Sequence, residues 1–219
     1  SAFLRRWSAH LRAMADSAGS RWAPLLAHQS ALCERVATKR PRTFWEALQL
    51  VLAFHQMMQA DGRMAMAFGR MDQYLYPFYR RDVESGLFTA EFADRLLEHF
   101  FAKITVDEDV QNITVGGTRP EDGRDAVNPL SHAIVRACGA VGRAGGNLTA
   151  RVHAGTPREF LRTCAAAIRT GIGYPAMVNE EPLIAGLLDA GYPLEAARDY
   201  CCVGCIETQI PGKQAPWAD

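Results

Sequence analysis

Residues 201–219, CCVGCIETQIPGKQAPWAD, hold the densest group of chemically capable side chains in the sequence. Cys201, Cys202 and Cys205 fall close together, and Glu207 stands two places after the last thiol. A redox pair needs two bondable cysteines, and Cys202 and Cys205 form a C-x-x-C. In the thioredoxin-like arrangement that motif follows a strand and opens a helix; here a helix over Leu194 to about Tyr200 precedes it and Pro211-Gly212 follows in a loop. A zinc site needs more ligands, and no second C-x-x-C and no H-x-x-x-H is present. A thiolate nucleophile wants a base, and the stretch contains no His. Cys205 and Glu207 offer another chemistry. In an extended segment residues i and i+2 project to one side, so the thiol and the carboxylate are expected to line one small cavity. Val203, Gly204 and Ile206 would let apolar backbone approach closely. On residue types alone, a structural loop is the alternative.

Positioning these groups falls to an α/β pattern. "TFWEALQLVLAFHQMM" opens with Thr43 as a helix cap and Glu46 placed to reach back, a capping box. Phe44, Leu48, Val51 and Phe54 follow at helical spacing. "TPREFLRTCAAAIRTGIG" repeats the device with Thr156, Pro157 at the first helical position and Glu159, and its helix should stop near Gly171 and Gly173. Further helices are expected in "TAEFADRLLEHFFAKI" and "PLSHAIVRACGAV". Between them lie the strand-like runs "QNITVGG", "NLTARVH" and "YPAMVNEE". Strands alternating with helices imply a parallel sheet or barrel. Cys33, Cys138 and Cys164 sit in apolar helical contexts and read as small core residues. No linker, repeat or low-complexity segment marks an internal boundary.

Composition excludes little but does exclude something. Of 219 residues, 48% are hydrophobic, enough to bury a core. Lys plus Arg balance Asp plus Glu at 24 each, so neither nucleic acid nor an acidic membrane surface is an expected partner. No apolar run approaches the roughly 18 residues a membrane span needs, and no signal-peptide pattern opens the chain. A reduced, cytoplasmic setting suits the cysteine usage.

The motifs, taken together, carry a resemblance. "VGCIE" followed by "IPGK" resembles the active-site loop of the glycyl radical enzymes (the pyruvate formate-lyase-like family), in the glycerol and diol dehydratase-like branch. That branch reads Gly-Cys-Val-Glu-Pro, then Pro-Gly-Lys, then Trp-His-Asp. Here Thr208 replaces the proline, and the last triplet is Trp217-Ala218-Asp219. "FGRMDQYLYPFYRRD" resembles the family's Gly-Arg-Phe-Asp-Gln-Tyr segment and "QNITVGG" its Asn-x-x-x-Gly-Gly strand. "GIGYPAMVNEEPLI" resembles its Gly-x-Pro-x-x-x-Asn-Asp-Glu segment, with Glu180 for Asp, and "TFWEALQ" the helix before them. The order is the family's from residue 43 to residue 219.

The resemblance implies a fold and a chemistry. The fold is a ten-stranded α/β barrel built from two five-stranded halves, of which residues 1–219 would supply about one half plus the cysteine loop. In function the resemblance implies a lyase, foremost a dehydratase or eliminase. Cys205 would become a thiyl radical and take a hydrogen atom from substrate, with Glu207 as general base. Asp219 matches a substrate-binding carboxylate. Met64 and Ala65 stand where polyol dehydratases carry a His-Ser pair, so the substrate is expected to be neither glycerol nor propane-1,2-diol but a larger or less hydroxylated molecule. Arylacetate-type decarboxylation, or other C–C or C–S cleavage, is the alternative within the family; a C-x-x-C redox or metal-binding module is the alternative outside it. The resemblance implies no metal and no directly bound organic cofactor. It implies a glycyl radical installed by a radical-SAM activating enzyme, a small-molecule substrate and a homodimer. The radical-bearing motif, Arg-Val-x-Gly-Tyr, is missing. "RVHAGT" (151–156) is near in spelling, but Gly155 is one place late and Thr156 replaces Tyr; it reads as a strand end feeding the next helix. The sequence is therefore expected to be an internal piece lacking the glycyl radical domain, and inactive or unstable alone.

Overall fold

A computed structural model describes residues 1–17, 19, 21–63, 65–106, 110–142 and 146–214. The fold falls into two compact units, 1–62 and 63–219, divided at the turn formed by Asp61 and Gly62. No change in composition announces that division.

The first unit is helical: α1 (Ala2–Ser17), α2 (Ala23–Val36) and α3 (Phe44–Ala60). Leu4, Leu11, Leu32, Cys33, Val36 and Ala53 form its core. Ser8 and Ser30 are buried between α1 and α2, and each hydroxyl donates to the other's carbonyl at 2.8 Å, which satisfies both away from water. Thr43 caps α3 as expected, its hydroxyl accepting from the Glu46 N–H at 3.1 Å. The reciprocal half of the box is shared: the Glu46 carboxylate accepts from the Arg42 N–H as well as meeting the Thr43 N–H, and it pairs with Arg35 at 2.6 Å. The apolar stripe of α3 also differs. Phe44 and Leu48 are buried together with Ala47 and Leu52, whereas Phe54 is 57% exposed. At 100° per residue, Phe54 lies well round the helix from Leu52.

The second unit is built on a parallel sheet. Its elements are β1 (Gly69–Arg70), α4 (Met71–Tyr74), α5 (Tyr76–Glu84), α6 (Ala90–Ile104), β2 (Ile113–Gly116), α7 (Pro129–Val141), β3 (Leu148–Val152), α8 (Arg158–Ala167), β4 (Ala176–Asn179), α9 (Glu180–Asp189), α10 (Leu194–Arg198), β5 (Cys201–Val203) and β6 (Glu207–Gln209). The strand order is β1-β2-β3-β4, all parallel, so each crossover returns to the neighbouring position. Right-handed crossovers in one continuous direction put the helices on a single face, as in a barrel wall. Ile113, Val115, Leu148 and Ala150 supply the helix-facing rows and are fully buried, α7 packing on β2 between α6 and α8. Cys138 and Cys164 lie in that core, and burial pushes each thiol up to about 12.

Helix ends follow local chemistry. Asn128 caps α7 with a complete capping box through Ser131, and Gly142 closes it in the left-handed conformation. Thr156 does not cap α8. Its hydroxyl accepts from the His153 N–H at 2.8 Å, tightening the turn after β3, and Pro157 occupies the cap position. The helix then passes into a π-helical turn, Ile168–Ile172, and ends at left-handed Gly173.

Candidate active site

The cysteine stretch is a hairpin lying over the helix-free face of the sheet. β5 and β6 pair antiparallel, with Val203 opposite Glu207, leaving Gly204, Cys205 and Ile206 as the loop. Gly204 is left-handed (φ 58°). The segment is therefore turned and not extended, which revises the expectation of a shared cavity. Cys205 and Glu207 both lie exposed at the tip of a finger, with Ile206 61% exposed between them. Oε2 of Glu207 accepts from the Ile206 N–H at 3.0 Å, so the carboxylate folds back across the loop. A Cβ at Gly204 would come within 2.5 Å of that oxygen.

The finger's root is fastened at the carboxyl ends of the strands. Arg151, on β3, is fully buried and bonds Glu180 at 2.8 Å, a pair exposed by only 0% and 1%. The same guanidinium donates to the carbonyls of Arg198 and Tyr200, each at 2.8 Å, and stacks over the Tyr200 ring at 3.9 Å. Arg70, on β1, donates to Asp199 at 3.1 Å and to the Thr118 carbonyl at 2.8 Å. Burial, and then the neighbouring Arg151, lower its proton affinity. Next to it Asp72 is completely buried, accepting from the Gly116 N–H and the Ser131 hydroxyl; burial raises its pKa. The Gly-Gly of QNITVGG is explained here. Side chains at Gly116 or Gly117 would run into the β3 carbonyl of Arg151 or into the Arg151–Glu180 pair. These residues lie within the sequence motifs, yet nothing in their types announces a buried ionic anchor, because their partners come from distant segments.

Mid-finger, the Cys202 N–H donates to the Thr114 hydroxyl at 3.0 Å. At the tip, Asn112 and Asn147, immediately before β2 and β3, donate side-chain N–H groups to the carbonyls of Cys205 (3.4 Å) and Gly204 (3.1 Å). The finger thus runs from the carboxyl ends of the strands to their amino ends. Ala65, in the segment that enters β1 at the amino end, is partly exposed with φ 54°, the one described non-glycine residue in that region. Met64 and Asp219 lie outside the described residues.

Little in this geometry suits the redox or metal alternatives. Cys202 is fully buried on a strand while Cys205 is exposed at the tip. Burial pushes Cys201 up to about 12 and raises Cys202, the reverse of what a reactive redox thiol requires. Among the described residues, no three His, Cys, Asp or Glu side chains gather in a way that could hold a metal ion. Nor is any helix among them long and apolar enough to cross a membrane.

Comparison with known proteins decides the family. The model for pyruvate formate lyase-like proteins matches residues 1–218. This chain belongs to the pyruvate formate lyase-like family. It is 38% identical to the probable dehydratase YbiW of Escherichia coli K12, over 96% of this chain and 28% of that protein. With the (2S)-3-sulfopropanediol dehydratase of Klebsiella oxytoca the identity is 32%, over 85% of this chain and 25% of the other. The glycerol-bound, B12-independent glycerol dehydratase of Clostridium butyricum superposes with a TM-score of 0.92 at 31% identity, over 98% of this chain and 29% of that one. The parallel sheet and finger thus match a glycyl radical enzyme barrel, with four parallel strands among the described residues. The chain spans little more than a quarter of the relatives it matches.

Proposed function

We propose that the intact protein is a glycyl radical lyase that eliminates a leaving group from the carbon next to a carbinol, with Cys205 as hydrogen-atom carrier and Glu207 as general base. The observation that carries this reading is a Cys-x-Glu at the tip of a finger fastened across the open face of this family's barrel wall. Of the six cysteines Cys205 alone is exposed, so it is the thiol that a radical held elsewhere in the protein can reach. A glycyl radical, installed by a radical-SAM activating enzyme, supplies the first hydrogen-atom abstraction.

Cys205 then acts as follows. Having given up its S–H hydrogen atom, Sγ takes one from the carbinol carbon of the substrate, and the S–H re-forms. The carbon-centred radical acidifies its hydroxyl, and Glu207 accepts that proton. The leaving group departs with its bonding electrons. The resulting radical, now next to a carbonyl, takes the hydrogen atom back from Sγ, so product forms and the thiyl is regenerated. The relevant form is the protonated thiol, so this chemistry requires no neighbouring base to ionise it.

Substrate choice rests on the residues that match the family's substrate-binding positions. Met64 and Ala65 bring no hydroxyl-binding group, whereas Asp219 offers one carboxylate. That favours a substrate poorer in hydroxyls than glycerol. Relatives include isethionate sulfite-lyases and a trans-4-hydroxy-L-proline dehydratase. The test is to activate the intact enzyme anaerobically and offer isethionate and propane-1,2-diol, each of which carries a leaving group on the carbon next to a carbinol. We expect elimination of sulfite from isethionate ahead of dehydration of the diol, and neither from Cys205→Ser. Turnover by Cys205→Ser would sink the reading, and carbon dioxide from an arylacetate would move it to decarboxylation.

A further inference from the structure

The two peptide groups that flank Cys205 are each held from the sheet. Asn147 Nδ2 bonds the Gly204 carbonyl and Asn112 Nδ2 the Cys205 carbonyl. Each asparagine is itself oriented by a hydroxyl, Thr149 on β3 for Asn112 and Tyr174, two residues before β4, for Asn147. The Tyr174 hydroxyl donates to Asn147 Oδ1 at 2.6 Å, and the Thr149 hydroxyl donates to Asn112 Oδ1 at 3.2 Å. With Oδ1 occupied by a donor, the amide can only present its N–H groups to the loop. Asn112 and Asn147 are neighbours across the β2–β3 register, because Ile113 aligns with Leu148.

Fixing both peptide planes fixes φ and ψ of the residue between them. The direction of its Cα–Cβ bond is then fixed too. We propose that Asn112 and Asn147, set by Thr149 and Tyr174, are positioning residues that aim the Cys205 Sγ for hydrogen-atom transfer. This inference rests on the reading of Cys205 as the hydrogen-atom carrier. A left-handed glycine and an exposed three-residue loop leave the tip few constraints of its own, and reacting atoms must be placed within fractions of an ångström. An aspartate at either position keeps the shape but cannot donate, and it sets a negative oxygen against the carbonyl.

The experiment uses the intact enzyme and the variants Asn147→Asp, Asn112→Asp, Tyr174→Phe and Cys205→Ser. Hydrogen exchange across residues 203–207 is followed by mass spectrometry, and turnover is measured on whichever of isethionate or propane-1,2-diol the wild type converts. We expect each aspartate variant to raise exchange at the tip about tenfold or more and to lower kcat by about 10- to 100-fold. KM should stay within about twofold, and the melting temperature within a few degrees. Tyr174→Phe, the mildest change, should show both effects at a few-fold size. Unchanged exchange in both aspartate variants overturns the clamp. Raised exchange with wild-type kcat overturns its role in aiming the thiol, as does a loss of kcat matched by a loss of melting temperature. Turnover by Cys205→Ser is a different failure, that of the underlying reading, and the exchange arm still decides the clamp.

Discussion

At the scale of single residues, the finger's tip depends on Gly204. Its φ of 58° costs an L-residue roughly 1–2 kcal/mol, and a Cβ would press on the Glu207 carboxylate. Gly204→Ala in the intact enzyme should therefore lower the melting temperature by only about 1–2 °C and yet abolish most turnover, because the carboxylate must leave its place. Wild-type turnover in that variant would contradict the geometry. Glu207→Gln keeps the size and loses the base. It should lower kcat by about 10²- to 10⁴-fold, with the radical signal in electron paramagnetic resonance unchanged. The loop that holds Cys205 and Glu207 stands out in the sequence through its resemblance to the family's active-site loop, whereas residue types alone leave a structural loop open. Its turned geometry does not stand out, since spacing alone does not distinguish an extended segment from a hairpin.

Elements place the finger, and here the sequence shows less. The strands and the longer helices follow from periodicity and caps, so β2, β3, β4, α6 and α7 match the runs expected of them. Cap partners are less legible. Thr156 bonds across a β-turn-like loop, and Glu46 also takes the N–H one residue beyond the expected partner, because each side chain meets several N–H groups within reach. Least legible is the Arg151–Glu180 anchor, whose partners are 29 residues apart and which also holds Tyr200. Arg151→Met leaves the Glu180 carboxylate buried and unpaired. The expected loss is about 3–5 kcal/mol in urea unfolding of the second unit. The double variant Arg151→Met with Glu180→Leu should lose less than Arg151→Met alone. A single-variant loss under about 1 kcal/mol would show that water reaches the pair. Removing the α7 cap with Asn128→Ala should cost about 0.5–2 kcal/mol.

The whole molecule adds a pH dependence. Burial lifts Cys138, Cys164 and Cys201 from 9.0 to about 12 in the folded state. The unfolded chain ionises these thiols near their ordinary value, the folded chain only later. Their contribution to stability is thus complete below pH 9 and lost as pH rises toward 12, with a slope of at most about 1.4 kcal/mol per pH unit for each thiol. Urea midpoints measured from pH 7 to 11 should fall on the alkaline side, and Cys138→Ala with Cys164→Ala should flatten the fall. A midpoint that stays level above pH 9 would mean the thiols are reached by solvent. Fold membership was readable at this scale because several motifs recur in the family's order across most of the chain; substrate identity was not, because it depends on side chains contributed by much more protein than these residues. The central claim is that Cys205 carries the substrate's own hydrogen atom. Deuterium at the carbinol carbon of a substrate that the intact, activated enzyme converts tests it most directly. The account predicts that deuterium passes to the neighbouring carbon of the product through Sγ, and a product whose new C–H bond carries solvent hydrogen instead would contradict it.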